Sequence, residues 1–176
     1  FPGLEYVKRL ADSIEIKTDI DRRDRALIAF LLLSGMRDKA VATLPLGFFD
    51  PATLEIRQDS LKGVDTKFGK AFTSHLVVFD ETLLQYIVEW AKYLKSEKLF
   101  ANTAPFFPRA KSVQGIELVN FQAKDIEPVF WSTTGPIRAI LRDRAGAAGV
   151  EYYNPHAFRH AHVHLALPYA RTAEEV

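Results

Sequence analysis

The pattern of hydrophobic and polar positions predicts helices in the first part of the chain. From Phe1 to Ile16, apolar residues recur at intervals of three and four, which is helical spacing. The stretch ALIAFLLLSGM, Ala26 to Met36, is apolar on nearly all sides, so we expect a helix in the domain centre. Asp21 is the expected N-cap of this helix, and Gly35 is expected to end it. A short helix in DKAVATLPL follows and ends before Pro45.

The residue pattern in the middle of the chain favours β-strands. DPATLEIRQD (50–59) and AFTSHLVVF (71–79) are short stretches that favour strands, and the polar segment between them contains Gly63 and Gly69. We expect a β-hairpin or a small antiparallel sheet there. Helical spacing returns over Glu81 to Lys98.

Two more helices are predicted in the last third of the chain. TTGPIRAILRDRAGAAG (133–149) has Pro136 near its start and Gly149 at its end, which is typical of a helix. Asn154 and Pro155 form a turn before a histidine-rich helix. The whole pattern predicts an α+β domain, mainly α-helical, with one small antiparallel β-sheet or hairpin.

Composition narrows the class of protein. The 176 residues suffice for one domain, and 48% hydrophobic with 26% charged residues is typical of a globular protein. The absence of cysteine excludes disulfides and thiolate zinc sites. No apolar run reaches the roughly 20 residues of a membrane span, so we expect no membrane partner. A net charge of +1 gives little support for a nucleic-acid partner, so local clusters of cations must decide.

The end of the chain, NPHAFRHAHVHLALPYARTAEEV, holds four of the five histidines. On a helix, His156 and Arg159 are three apart and share a face. His160 and His164 are four apart and also share a face, with His156 one further turn back, and His162 points elsewhere. Three interpretations compete. Imidazoles four apart can bind a metal, although there is no HExxH pattern and Arg159 is a cation. The histidines can instead be hydrogen-bonded structural residues, or His156 and Arg159 can act together on a phosphate.

The phosphate interpretation requires further cations, because the transition state of phosphoryl transfer carries extra negative charge. Arg37 follows LLLSGM at the end of the buried helix, where a side chain can line a cleft. Lys67 lies in VDTKFGK on the predicted hairpin, and Lys70 is an equally good lysine by local sequence. Alternatively, Arg37 caps the C-terminus of the helix at the surface and complements its dipole, and Lys67 is an exposed lysine of a turn without a catalytic role.

Taken together, SGMRDKAVATLPLGFFD, DTKFGK and NPHAFRHAH resemble the catalytic domain of tyrosine recombinases, the phage integrase family. The family has an arginine after a buried helix, a lysine in a β-hairpin, and His-x-x-Arg at the start of a helix. The resemblance covers about residues 21–170. It implies that Arg37, Lys67, His156 and Arg159 are catalytic, with no metal and no cofactor.

The sequence departs from the family in two places. Ala40 stands where the family carries an acidic residue, and Asp38 is the candidate to brace Arg37 instead. The family's tyrosine should follow the His-x-x-Arg helix, but nothing after Arg171 matches. Tyr169 would lie about 15 Å along a helix from Arg159, too far for a nucleophile. We therefore expect residues 1–176 to be a catalytic-domain fragment without the N-terminal DNA-clamping domain or the tyrosine segment.

The resemblance implies cleavage and rejoining of double-stranded DNA through a 3′-phosphotyrosyl intermediate, by tetramers on paired sites in the bacterial or phage-infected cytoplasm. Four further residues are expected to contact DNA: Arg138, Arg142, Lys70 and His160. For Arg138 and Arg142, a solvated helix face remains the alternative. Two other functions stay open, a non-catalytic DNA-binding protein of the same fold and a metal-dependent hydrolase that uses the histidines.

Overall fold

A computed structural model of the chain describes residues 1–59, 71–111 and 124–169. In the described residues, three helices are followed by two strands and then by three more helices. They are α1 (Leu4–Asp12), α2 (Asp19–Ser34), α3 (Asp38–Ala42), β1 (Glu55–Gln58), β2 (Phe72–His75), α4 (Glu81–Ser96), α5 (Gly135–Ala148) and α6 (Pro155–Ala166), with 3₁₀ turns at Leu46–Phe48 and Leu167–Tyr169. The predicted class, mainly helical with a small antiparallel sheet, is confirmed.

Helix α2 forms the centre of the molecule, as its apolar sequence predicts. Its residues from Ala26 to Leu33 are buried, and α1, α4 and α6 all pack against it. The predicted N-cap at Asp21 is wrong. Thr18 is the N-cap, and its hydroxyl accepts from the Asp21 N–H while the Asp21 carboxylate accepts from the Thr18 N–H. This reciprocal capping box starts the helix one turn earlier than expected.

The far end of α2 packs into a cluster of aromatic rings. Phe30 contacts the rings of Phe49, Phe106 and Phe107, with centroid separations of 5.3–6.3 Å. The indole of Trp90 on α4 donates to the Phe106 carbonyl at 2.8 Å. The proline-rich loop after α4 is therefore held on the core by burial and by a hydrogen bond.

The predicted small antiparallel sheet is present and has two strands. Strands β1 and β2 pair with Glu55 opposite His75 and Gln58 opposite Phe72. The link that contains Lys67 and Lys70 lies outside the described residues.

The last two helices begin and end close to the predicted positions. Helix α5 follows Thr134 and ends at Gly149 in a left-handed conformation, as expected for a glycine cap. Helix α6 begins at Pro155, and the Asn154 side chain caps it by accepting from the Ala157 N–H at 2.9 Å. It ends at Ala166, so the expectation that Tyr169 continues this helix is wrong. Within the described ranges, no helix has both the length and the apolar character needed to cross a bilayer.

Candidate functional site

A cleft of about 260 Å³ lies where the end of α2, the start of α5 and the start of α6 meet. Its lining consists of Met36, Arg37, Asp38, Arg138, Asn154, Pro155, His156 and Arg159. The fold therefore brings together three of the four residues predicted to be catalytic, together with Arg138. A larger cleft, of about 660 Å³ near Phe48 and Asn102, contains none of the predicted site residues that the structure describes.

Arg37 reaches the cleft because α2 ends sharply. Gly35 adopts φ 63° and ψ 15°, which turns the chain, and Arg37 then occupies the N-cap position of α3. The Arg37 side chain is exposed, and its guanidinium forms no hydrogen bond or ion pair with any other residue of the described ranges. As far as the described ranges are concerned, its donors are therefore available to an anion from solution.

Arg159 faces Arg37 from the second turn of α6. Its Nη1 donates to the Gly35 carbonyl at 2.6 Å, which fixes the guanidinium against the end of α2. Burial lowers the pKa of Arg159, and the positive charge of Arg37 lowers it further. An arginine stays charged at neutral pH even so. A partly buried guanidinium beside a second cation favours the binding of a shared anion.

His156 occupies the first turn of α6 and pairs with His160 one turn later. Their Nε2 atoms are 2.9 Å apart, so one ring donates its N–H to the lone pair of the other. Both side chains are exposed. His156 thus lies at the edge of the cleft, and His160 is its immediate hydrogen-bond partner.

Arg138 is held at the cleft by an acidic partner. Its Nη2 donates to Asp38 Oδ2 at 3.0 Å, and its Nη1 donates to the Thr134 hydroxyl at 3.1 Å. The idea that Asp38 braces Arg37 is therefore wrong, because Asp38 pairs with an arginine 100 positions later. Arg142, one turn further along α5, lies 5.5 Å over the Tyr152 ring and does not line the cleft.

A second ion-pair network, which the sequence did not reveal, anchors α5 to α2. Arg144 donates to Asp24 at 2.9 Å and to Asp21 at 2.8 Å, and Asp24 is buried. Burial raises the pKa of Asp21, but hydrogen bonds from Arg144 and from the Lys17 N–H outweigh it, so the pKa of Asp21 is lowered overall. The partners are 120 or more positions apart, so no local pattern marks them.

The other histidines of α6 do not converge on one point. His162 is partly buried, and its Nδ1 donates to the Leu32 carbonyl at 2.7 Å. The ring of His164 lies 5.1 Å from that of Phe1. In the part of the chain that the structure describes, no group of three or more histidine or acidic side chains could hold a metal ion. Of the three interpretations, a hydrogen-bonded structural role describes His162 best. The metal interpretation finds no cluster of three ligands among the described residues.

Two other predictions concern residues away from the cleft. Tyr169 is exposed on the last 3₁₀ turn, its ring 6.0 Å from that of Phe79, and it does not line the cleft. Lys67 and Lys70 fall outside the described residues, so their roles stay predictions.

The fold matches solved structures of recombinases and integrases. XerA recombinase superposes with a TM-score of 0.64 at 18% identity, over 98% of this chain and 50% of that one. The integrase from mycobacterium phage Brujita superposes with a TM-score of 0.55 at 16% identity, over 92% of this chain and 42% of that one. XerH site-specific recombinase, in a pre-cleavage complex bound to difH substrate, superposes with a TM-score of 0.58 at 18% identity. The match covers 98% of this chain and 44% of that one.

These similarities show that the described chain has the tyrosine-recombinase catalytic-domain fold, as the sequence resemblance predicted. The chain spans half or less of the length of the three proteins. Neither a family model nor a curated protein sequence matches it.

Proposed function

We propose that this chain is the catalytic domain of a site-specific DNA recombinase or integrase that cleaves and rejoins double-stranded DNA. The observation that supports this most strongly is the presence of Arg37, His156 and Arg159 in one cleft. Two guanidiniums in that arrangement suit the non-bridging oxygens of one phosphodiester. DNA as the partner is further supported by the fold that the chain shares with XerH, which was solved on its DNA substrate.

The proposed reaction is an attack by a tyrosine hydroxyl on the scissile phosphorus. A phosphotyrosyl bond forms at the 3′ end, the bond to the 5′ oxygen breaks, and that oxygen takes up a proton. Arg37 and Arg159 stabilise the charge on the non-bridging oxygens. We assign the proton for the 5′ oxygen to Lys67 and the proton of the attacking hydroxyl to His156. Because the phosphotyrosyl bond retains the energy for rejoining, the reaction requires no nucleotide cofactor.

Beyond the scissile phosphate, DNA binding requires cations along the backbone. Arg138 is proposed to contact a neighbouring phosphate, because Asp38 holds it at the rim of the cleft. Arg142, His160 and Lys70 are proposed to extend this contact. We further propose assembly as tetramers on paired sites, in the cytoplasm where bacterial or phage DNA is found.

The test is formation of a covalent protein–DNA complex on a nicked suicide duplex, measured on a denaturing gel with the full-length gene product that contains this chain. Arg37→Ala and Arg159→Ala should each lower the cleavage rate by about 10²–10³-fold, the usual effect of losing one charge-stabilising donor. Arg9→Ala, an exposed arginine on α1, is the matched control and should cleave normally.

The outcomes separate the competing functions. Cleavage by Arg37→Ala at the wild-type rate would contradict the assigned site. DNA binding without any covalent complex would favour the non-catalytic relative. Cleavage that depends on an added divalent metal would favour the hydrolase.

A further inference from the structure

His162 contacts the last turn of α2, immediately before the chain leads to Arg37. In a regular helix, the Leu32 carbonyl would accept from the Met36 N–H. That N–H donates instead to the Ser34 hydroxyl at 3.2 Å. The Leu32 carbonyl accepts from His162 Nδ1 at 2.7 Å, and since a carbonyl only accepts, Nδ1 carries the proton. An imidazole from α6 thus caps a carbonyl that the helix leaves without its own donor.

The ring of His162 also occupies the space directly beside Gly35. A Cβ placed on Gly35 would lie 2.4 Å from His162 Cδ2, so only glycine permits this approach. The Gly35 carbonyl, in turn, accepts from Arg159. His162 and Arg159 are three positions apart on α6 and share a face. Together they hold one turn of α2 by a ring and by two hydrogen bonds.

We propose that His162 is a positioning residue that sets the separation between the Arg37 and Arg159 guanidiniums. It does not line the cleft and acts through Gly35, two residues before Arg37. The inference rests on the proposed function, because this separation matters when both guanidiniums bind one phosphate. A displacement of about 1 Å in such a site is enough to reduce a rate by about 10²-fold.

The role requires two properties of the side chain, which different substitutions separate. Asparagine places an amide N–H close to the position of Nδ1, so His162→Asn keeps the donor to Leu32. Phenylalanine keeps a ring of similar size without a donor, so His162→Phe leaves the carbonyl unsatisfied. His162→Gln carries its amide one bond further out and provides a second variant in which the donor is displaced. His164, exposed on the same helix, provides matched controls.

The experiment titrates this chain with inorganic phosphate while the Nε–Hε NMR signals of Arg37 and Arg159 are followed. In the wild type, both signals should shift with one common Kd. In His162→Phe and His162→Gln, we expect phosphate to bind about tenfold more weakly, with the two signals no longer sharing a Kd. His162→Asn, His164→Asn and His164→Phe should stay within about threefold of the wild type.

Three results would overturn the role of His162. One is an unchanged common Kd in the folded His162→Phe and His162→Gln variants. Another is the absence of a joint response in the wild type. The third is an equal loss in the Asn, Gln and Phe variants that follows the loss of thermal stability. The phosphate titration involves no DNA cleavage. A joint response without any covalent DNA complex would therefore reject the enzyme and retain the positioning role.

Discussion

At the scale of single residues, the geometry of the site depends most on Gly35. Its left-handed conformation ends α2, its missing side chain admits His162, and its carbonyl accepts from Arg159. Gly149 at the end of α5 has a similar φ of 68° but has open space around it. A comparison of the two glycines therefore distinguishes the effect of backbone conformation from the effect of close packing.

Gly35→Ala should destabilise the fold more than Gly149→Ala. The left-handed conformation costs about 1–2 kcal/mol for either alanine, and displacing the His162 ring adds about 1–3 kcal/mol at Gly35 alone. Urea denaturation of the two variants measures the difference in their free energies of unfolding. Equal losses would show that the His162 ring yields to a Cβ without resistance.

The assignment of Lys67 is tested through the leaving group. A DNA substrate with sulfur in place of the 5′-bridging oxygen needs no proton donor, because a thiolate leaves readily. Lys67→Ala should lose cleavage of normal DNA by about 10²-fold or more and regain most of it on the sulfur substrate. Single-turnover cleavage of both substrates provides the measurement, with Lys70→Ala as the control. Rescue of Lys70→Ala instead would move the role to that lysine.

At the scale of elements, ion pairs anchor α5 at two points along its length. Arg144 ties its middle to Asp21 and Asp24 on α2, while Arg138 ties its start to Asp38. Asp24 is 4% exposed and is shared with Arg23. Loss of Arg144 would leave Asp24 buried with one partner instead of two.

Arg144→Met should lower the free energy of unfolding by about 2 kcal/mol or more at pH 7, because the buried carboxylate of Asp24 and the partly buried one of Asp21 lose a charged donor. The native pKa of Asp21 is below the ordinary 3.8, so its stabilisation is present above that value and disappears as pH falls through the native pKa. The difference between wild type and variant should therefore shrink between pH 7 and pH 3. Urea titrations at both pH values test this, and a constant difference would exclude the Asp21 contribution.

At the scale of the whole molecule, function depends on the location of the cations rather than on their number. With 23 basic and 22 acidic side chains, the protein is nearly neutral. The ion pairs between α2 and α5 occupy acidic groups elsewhere, while Arg37, Arg138 and Arg159 share the cleft with Asp38 as their acidic neighbour. A local cationic surface of this kind suits the DNA backbone despite the low net charge.

The proposed DNA contacts predict a change in salt dependence. Arg138→Ala and Arg142→Ala should each reduce the slope of log K against log salt by about one, for one lost phosphate contact. Arg138→Ala should weaken binding more, because it leaves Asp38 without its arginine partner at the cleft. Fluorescence anisotropy of a labelled duplex from 50 to 200 mM salt, roughly the range in which such slopes are resolved, gives the measurement. Lys92→Ala on α4 is the control, and an unchanged slope for both arginine variants would remove them from the interface.

The sequence by itself determined most of the elements, because their signals act over a few residues. Helical spacing and Gly35 defined the end of α2, strand-forming residues located β1 and β2, and Asn154 marked the start of α6. The sequence misplaces the start of α2, because Asp21 has the residue type of an N-cap although it serves as the partner of Thr18.

The tertiary structure decided which of these residues meet. Arg37 and His156 lie far apart in the chain, and they line one cleft because α6 packs against the buried end of α2. Asp38 pairs with Arg138 rather than with its sequence neighbour Arg37. His162 donates to the Leu32 carbonyl, 130 positions away in the chain. Local propensity carries no information about such pairs, because they form only when burial of the apolar faces has fixed the helices relative to one another.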